Sequence, residues 1–293
     1  MILILGKNGY ISKRFQDFFT LRGIPFQAVS LRNDPLQIYT ILSEVWPTMV
    51  INCIGFTGIP NIEACENQKE ECLSVNVNLA EVIAEACKKF HIPLGFVSSG
   101  CIFKDRGDGV PFSETSLPNF TFLLGKASWY SGTKALGESI VAKTWEQTWV
   151  WRIRMPFNHL DQPKNIITKY LKYPRIWNQK NSYTNLDEFV EMAASFQNKK
   201  IPYGIYNMTN PGGIDPAQIL DIARREGFES NVQELISDPA KFDSISSIPR
   251  SDCILDTTKS SKYGIAMLDV GASFRKCFQN WNRDISPFWN NMG

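Results

Sequence analysis

The chain opens Met1-Ile-Leu-Ile-Leu-Gly-Lys-Asn-Gly-Tyr-Ile-Ser12. An apolar run from Met1 to Leu5 ends at Gly6-Lys7-Asn8-Gly9, and a helix-length segment begins at about Ser12. A short apolar strand that enters a glycine turn and hands over to a helix is the context a phosphate-binding turn requires. The glycines let the backbone turn sharply and approach a pyrophosphate, while the free amides of Tyr10 and Ile11 at the helix start face the anion. An ordinary turn between strand and helix would use the same glycine pair, so the reading depends on the pattern of the rest of the chain.

That pattern is alternation. PFQAVS, MVINCIG, LGFVSSG and WVWRIRMP are strand-length apolar runs, separated by helix-length segments around Pro35–Glu44, Val75–Phe90 and the stretch SWYSGTKALGESIVAKTW. Strands alternating with helices imply a parallel sheet covered on both faces, whose strands read as continuous apolar runs. The expected fold is α/β, a Rossmann-like doubly wound parallel sheet over residues 1–156, followed by a smaller C-terminal substrate domain over 157–293. After Pro156 the segments become shorter and more polar, as in DQPKN, YPRIWNQKN and TNPGGIDP. A helix from about Asp187 and a strand at Gly204–Met208 fall within 182–210, a part expected to return to the main sheet.

Composition narrows the function. In 293 residues, 43% apolar side chains suffice for a sizeable core, and 31 Lys plus Arg against 29 Asp plus Glu leave a formal charge of +2. That balance lacks the basic stripe of a nucleic-acid binder and points to a small-molecule partner. No apolar run reaches the length of a membrane span, and the start lacks a signal-peptide pattern, so a soluble cytoplasmic protein is expected. Seven cysteines without a CxxC pair, and only two histidines, indicate neither a disulfide framework nor a metal site.

The second strand ends at Ser30-Leu31-Arg32 rather than at an acid for a ribose 2′-hydroxyl. Ser30 and Arg32 suit a 2′-phosphate, which favours NADPH over NADH, although Asp34 is placed to pair with Arg32. Asn52 and Gly55, after the third strand, either meet the cofactor or shape the loop, and Thr57 and Asn61 just beyond are candidates for the sugar. Tyr130 and Lys134 are four apart on one helical face, a spacing at which an ammonium lowers the pKa of a proton-donating phenol. Taken alone that spacing describes many solvated helices; it gains weight from its order after the glycine turn and after Ser98-Ser99 at a strand end.

In this order of parts the chain resembles the extended short-chain dehydrogenase/reductases, and within them the dTDP-4-dehydrorhamnose reductases. The segments GKNGYI, PTMVINCIGFTGIPNIEACE, GCIF, PNFT, RIRMP, NIITK, NMTNPG and PRSDCILDTTK resemble the plant and large-virus enzymes that make UDP-L-rhamnose from UDP-4-keto-6-deoxyglucose by 3,5-epimerisation and 4-reduction. The resemblance implies an NADPH-dependent enzyme with Ser99, Tyr130 and Lys134 as reductase triad, Ser99 standing where the family has threonine, and Ser12 at the third position of the glycine pattern. It further implies Cys101 as carbon base for epimerisation and Lys169 as the acid on the opposite face, with Lys164 and His159 as local rivals. Without it, Cys101 reads as a small buried hydrophobe.

Arg250 resembles an arginine that clamps the nucleotide diphosphate, and Asn158, Asn165 and Trp177 are weaker candidates for sugar or base contact. A homodimer is compatible with the family. Two rivals remain open on the sequence: a 4-keto reductase without epimerase activity, and a non-catalytic dinucleotide-binding regulatory subunit of the kind that partners methionine adenosyltransferase.

Overall fold

In the computed structural model, which describes residues 1–31, 34–59, 61–124, 127–246 and 248–282, β1 (Ile2–Leu5) has Leu3, Ile4 and Leu5 completely buried because both of its faces are covered. It pairs in parallel with β2 (Phe26–Val29) on one side and β3 (Met49–Asn52) on the other. Beyond β3 the sheet continues through β4 (Leu94–Ser99) and β5 (Thr148–Ile153). The chain then makes the short strands β6 (Pro156–Phe157), β7 (Arg175–Trp177) and β8 (Thr184–Asn185) before β9 (Gly204–Asn207) pairs with β5. The sheet order is therefore β2-β1-β3-β4-β5-β9.

Since consecutive strands depart from β1 in opposite directions, a crevice opens outside the carboxyl ends of β1 and β3, where ligands bind in such sheets. β10 (Glu234–Ile236) pairs with β7 away from the main sheet.

One face of the sheet carries α1 (Tyr10–Leu21), whose Phe15, Phe18 and Phe19 pack with Trp151 of β5. The other carries α2 (Gln37–Val45), α4 (Leu79–Lys89) and α5 (Trp129–Thr144), through Ile38, Ile83 and Val141. Between them a small α3 (Lys69–Leu73) precedes a wide π turn over Ser74–Asn78. The helix expected to begin at Val75 is helical from Lys69 onward, the π segment Ser74–Asn78 running directly into α4, and from that segment the Asn76 side chain reaches the loop after β3. The turns over 62–73 carry no strong apolar period and have no counterpart in the sequence reading.

The C-terminal part builds a second core from Phe157, Ile167, Tyr170, Tyr183, Phe274 and Phe278, which joins α6 (Ile166–Lys172), α8 (Pro216–Arg225) and α11 (Val270–Gln279). α7 (Leu186–Ser195) departs from it: Leu186, Phe189 and Val190 lie in the main core beside Phe15 and Trp151. This apolar face draws residues 186–207 back onto the sheet. Asp187 fixes the junction, with Arg14 Nε donating to Oδ1 at 2.8 Å and His159 Nδ1 2.9 Å from Oδ2. α9 (Pro239–Ile245) and α10 (Thr258–Lys262) flank a segment, Arg250–Leu255, that runs alongside the end of β4.

Candidate active site

The glycine turn is formed as its sequence requires. Gly6 has φ +90°, a conformation that L side chains avoid, and a Cβ there would stand 3.3 Å from Ile54. Gly9 caps α1 without a side-chain hydrogen bond and the first turn holds no acid, so the amides there keep their capacity for an anion. Asn8 and Ser30 are exposed at the same edge, and Ile11 is half-buried. No carboxylate follows β2 among the described residues until Asp34, which accepts the Leu36 N–H at 2.9 Å. The turn thus fits a dinucleotide and lacks the acid that would select NADH; Arg32 lies outside the described residues.

The Tyr10 hydroxyl donates to Asn158 Oδ1 at 3.0 Å, which leaves its backbone amide at the helix start. Asn158 in turn receives Asn165 Nδ2 on its backbone oxygen at 2.7 Å, and Asn165 caps α6 by accepting the Ile167 N–H. Both asparagines are fully buried. Through these bonds the two asparagines tie the glycine-turn helix to α6, which carries Lys169, while Asn158 Nδ2 is left without a partner among the described residues. Asn52 is likewise occupied, its Oδ1 accepting the Ile54 N–H at 2.9 Å, so its side chain shapes the loop. Trp177 packs on Phe242 at 4.2 Å.

The loop after β3 is held from beneath by Asn76, whose side chain accepts the Phe56 N–H at 2.8 Å and donates to the Phe56 oxygen at 3.0 Å. Gly137 makes this possible: a Cβ there would lie 2.1 Å from the Asn76 oxygen, so only glycine lets α5 approach the π turn. Gly55 and Thr57 are exposed on the loop's outer side. Asn61 caps the 3₁₀ turn Ile62–Glu66 and lines, with Glu63, Glu66, Ile248 and Pro249, an open cavity of about 560 Å³.

At the end of β4 the chain leaves extended geometry at Ser99 and turns through Gly100–Ile102, and Ser99 Oγ accepts the Cys101 N–H at 3.2 Å. Tyr130 packs against the small apolar cluster that holds Cys101, Ile102 and Phe103. Ser128 caps α5 and so sets the start of the helix that bears Tyr130 and Lys134. Lys134 Nζ donates to the Val97 oxygen at 3.2 Å and sits over the Phe96 ring.

Burial governs these groups. It pushes Tyr130 well above the ordinary phenol range and lowers Lys134, which Cys101 and Glu138 partly restore. It also raises Cys101, against the charges of Arg154 and Lys134. A thiolate favoured near neutral pH is therefore not what the ligand-free site holds: the positive neighbours are present, but burial outweighs them.

Glu138, one helical turn beyond Lys134, forms a buried ion pair with Arg152, Nη2 to Oε1 2.6 Å, and accepts Ser98 Oγ at 2.6 Å. Neither residue stood out in the sequence, although Glu138 continues the four-residue spacing of Tyr130 and Lys134.

Arg250, next to the cavity-lining Pro249, is ion-paired with Glu63 of the same cavity wall. Lys169 is near enough to Arg250 and Lys164 for their charges to add to burial in lowering its pKa. Arg154 fixes the approach, with Nη2 donating to the Ser251 oxygen and to Asn181 Oδ1 at 2.6 Å each. His159 is buried against Asp187, so it is no rival to Lys169 at the cleft.

Residues 1–176 match the family model described as RmlD substrate binding domain. The chain belongs to that family. A bifunctional dTDP-4-dehydrorhamnose 3,5-epimerase/dTDP-4-dehydrorhamnose reductase of Arabidopsis thaliana is 34% identical over 229 residues, which are 76% of this chain and 74% of the relative. A trifunctional UDP-glucose 4,6-dehydratase/UDP-4-keto-6-deoxy-D-glucose 3,5-epimerase/UDP-4-keto-L-rhamnose-reductase of the same plant is 31% identical over 94% of this chain, which spans only 41% of that relative. Among solved structures, the UDP-rhamnose synthase of Acanthamoeba polyphaga mimivirus superposes with a TM-score of 0.86 at 27% identity, covering 95% of this chain and 98% of its own. The RmlD match covers β1 to β6 and α6, and with them the glycine turn, Ser99, Cys101, Tyr130, Lys134 and Lys169.

Proposed function

We propose that this RmlD-family chain is an NADPH-dependent epimerase/reductase that converts a nucleotide-linked (UDP or dTDP) 4-keto-6-deoxy-D-glucose to the L-rhamnose form. One observation carries the reading: Ser99, whose hydroxyl accepts the Cys101 N–H at 3.2 Å, ends β4 where Tyr130 packs against the apolar cluster that holds Cys101. A C4 ketone seated on Ser99 and Tyr130 has its oxygen polarised, which acidifies the protons on the flanking C3 and C5. Cys101 is then the base that removes a proton from carbon, and Lys169 returns one from the other face. Tyr130 delivers its proton to the C4 oxygen when that oxygen gains negative charge, and its high pKa keeps it protonated until then.

NADPH, when bound, supplies the hydride that reduces C4; Gly6, Asn8, Gly9, Tyr10 and Ile11 would hold its pyrophosphate, with Ser30 and Arg32 at the 2′-phosphate. Lys134 keeps a positive charge beside the ribose, and Gly55 and Thr57 border it. Arg250 would take the nucleotide diphosphate, and Thr57 and Asn61 the sugar side of the cleft. All seven cysteines are free thiols, which suits the reducing cytoplasm. Among the described residues no helix is long and apolar enough to cross a membrane.

The raised pKa of Cys101 favours a second reading, a 4-keto reductase that accepts sugar already epimerised. Incubation with UDP-4-keto-6-deoxyglucose in deuterated water separates the two. Epimerase chemistry places deuterium at C3 and C5 without NADPH and yields UDP-L-rhamnose with it. Cys101→Ser lowers the exchange by about a hundredfold, the usual scale for one general base. Exchange at the wild-type rate in that variant would remove Cys101 as the base, and absence of exchange in the wild type would leave the plain reductase.

A further inference from the structure

Among the described residues the buried arginines are Arg14, Arg152 and Arg154, and two of them are matched, Arg14 by Asp187 and Arg152 by Glu138. Arg154, 5% exposed, pairs with no carboxylate there. Its Nε and Nη2 donate to Asn181 Oδ1 and its Nη2 also to the Ser251 oxygen, both neutral acceptors, and Nη1 makes no hydrogen bond among the described residues. A buried cation without a counter-ion is costly, so a fold that keeps one has an anion for it in some state of the protein.

The surroundings name that anion. The Arg154 stem lies against the Gly100 backbone, where an added Cβ would stand 3.3 Å from its Cδ. The segment it grips, 251–253, is bonded to the chain on either side of Cys101: Ser251 Oγ donates to the Phe103 oxygen, and Cys253 Sγ to the Gly100 oxygen at 3.2 Å. Cys101 is the titratable side chain between those two points. The other ionisable groups facing it are Tyr130 and Lys134 of α5 and Cys253 itself. Of these only Lys134 is a cation, and its Nζ is tethered to the Val97 oxygen.

We propose that Arg154 is a positioning residue for epimerisation, an unmatched charge kept behind the end of β4 to hold the Cys101 thiolate. This rests on Cys101 as the carbon base. When Cys101 takes a proton from C3 or C5, the electron pair passes to the C4 oxygen and the negative charge leaves sulfur. A fixed cation behind the sulfur therefore sets how much thiolate stands ready, and leaves sugar binding and hydride transfer alone. Burial raises the thiol, and the charge of Arg154, ahead of that of Lys134, opposes the rise.

Two variants test this, one without the charge and one that cancels it. Arg154→Gln keeps a donor for Asn181. Asn181→Asp keeps an oxygen for Arg154 and for the Cys253 N–H, and supplies the missing carboxylate with the arginine still in place. Iodoacetamide alkylation of the ligand-free protein is followed by mass on the peptide 90–104, released by cleavage after Lys89 and Lys104, in which Cys101 is the only cysteine. Both variants should displace the alkylation profile to higher pH by about one unit, the lower end of what one nearby charge does to an ionisable group. NADPH-free deuterium exchange at pH 7 should fall by about threefold to tenfold. Arg154→Lys should restore both, and reduction of sugar that is already epimerised should keep its kcat and KM.

Alkylation that is unchanged or faster in Arg154→Gln and Asn181→Asp overturns the proposal, since an arginine that only packs would, once removed, open the thiol to reagent. A raised KM with an unmoved alkylation profile overturns it as well and assigns the guanidinium to the substrate diphosphate. Should Arg154→Gln not fold, Asn181→Asp decides alone. The alkylation profile does not depend on the reaction proposed above. A wild-type protein without deuterium exchange therefore counts against Cys101 as the base, and leaves its pairing with Arg154 to be decided by alkylation.

Discussion

Replacing Glu138 by Gln removes one charge from a pair that is almost wholly buried. Glu138 and Arg152 expose 5% and 2% of their side chains, and the carboxylate takes Arg152 Nε at 3.0 Å, Nη2 at 2.6 Å and Ser98 Oγ at 2.6 Å. An amide in that place cannot accept at both ends, so it leaves Arg152 charged and uncompensated inside the protein. Breaking such a pair costs about 3–5 kcal/mol.

With a denaturant slope of about 3 kcal/mol per molar in urea, that loss moves the unfolding midpoint down by about 1 M or more. The double variant Glu138→Leu with Arg152→Met removes both charges and should recover most of it, because apolar replacement of a buried pair is often neutral or better.

A functional signature accompanies the structural one. Glu138 is among the charges that hold up the pKa of Lys134 against burial. Without it the lysine gives up its proton at lower pH, and the alkaline limb of kcat/KM moves toward neutrality. A Glu138→Gln protein within about 1 kcal/mol of wild type, or a double variant as unstable as the single one, would refute the assignment of strength to this pair.

Two further outcomes can be measured on the same material. Because burial raises the Cys101 pKa above that of an ordinary thiol, its thiolate is the minor form at pH 7 and grows with pH. NADPH-free deuterium exchange should therefore climb about tenfold per unit from pH 7 toward 9 once the Cys101→Ser background is subtracted; exchange that falls over this range would contradict thiolate chemistry. Glu63→Gln frees Arg250 from its partner on the cavity wall. Both side chains are about one-third exposed, so the pair is weak and KM for the nucleotide sugar should fall by no more than about fivefold, with kcat unchanged; a raised KM would show that Glu63 itself grips substrate.

The sheet was legible because its strands carry their burial in composition: MILIL, MVINCIG and WVWRIRMP are apolar throughout, as strands covered on both faces must be. The return of α7 to that sheet was legible only in outline. Leu186, Phe189, Val190, Ala193 and Phe196 form an apolar stripe suited to any core, and only the phenylalanines of α1 and Trp151 decide which one it joins.

At the site, Ser99, Cys101, Tyr130 and Lys134 could be singled out because each stands at a strand end or on a helical spacing, and the structure brings them together. The asparagines could not be sorted in this way. Asn52 and Asn165 look like ligand contacts in loops, yet their amides satisfy backbone groups that the turns leave unpaired. Sequence names the polar atoms available to a loop without saying whether the loop itself consumes them.

The chemistry of a cysteine is set by neighbours remote in sequence. Cys101 is raised by burial although Arg154, just past β5, and Lys134, on α5, place positive charge beside it. No spacing in the sequence ranks that burial against those charges; only the packing of Cys101 with Phe103, Phe112 and Leu255 does.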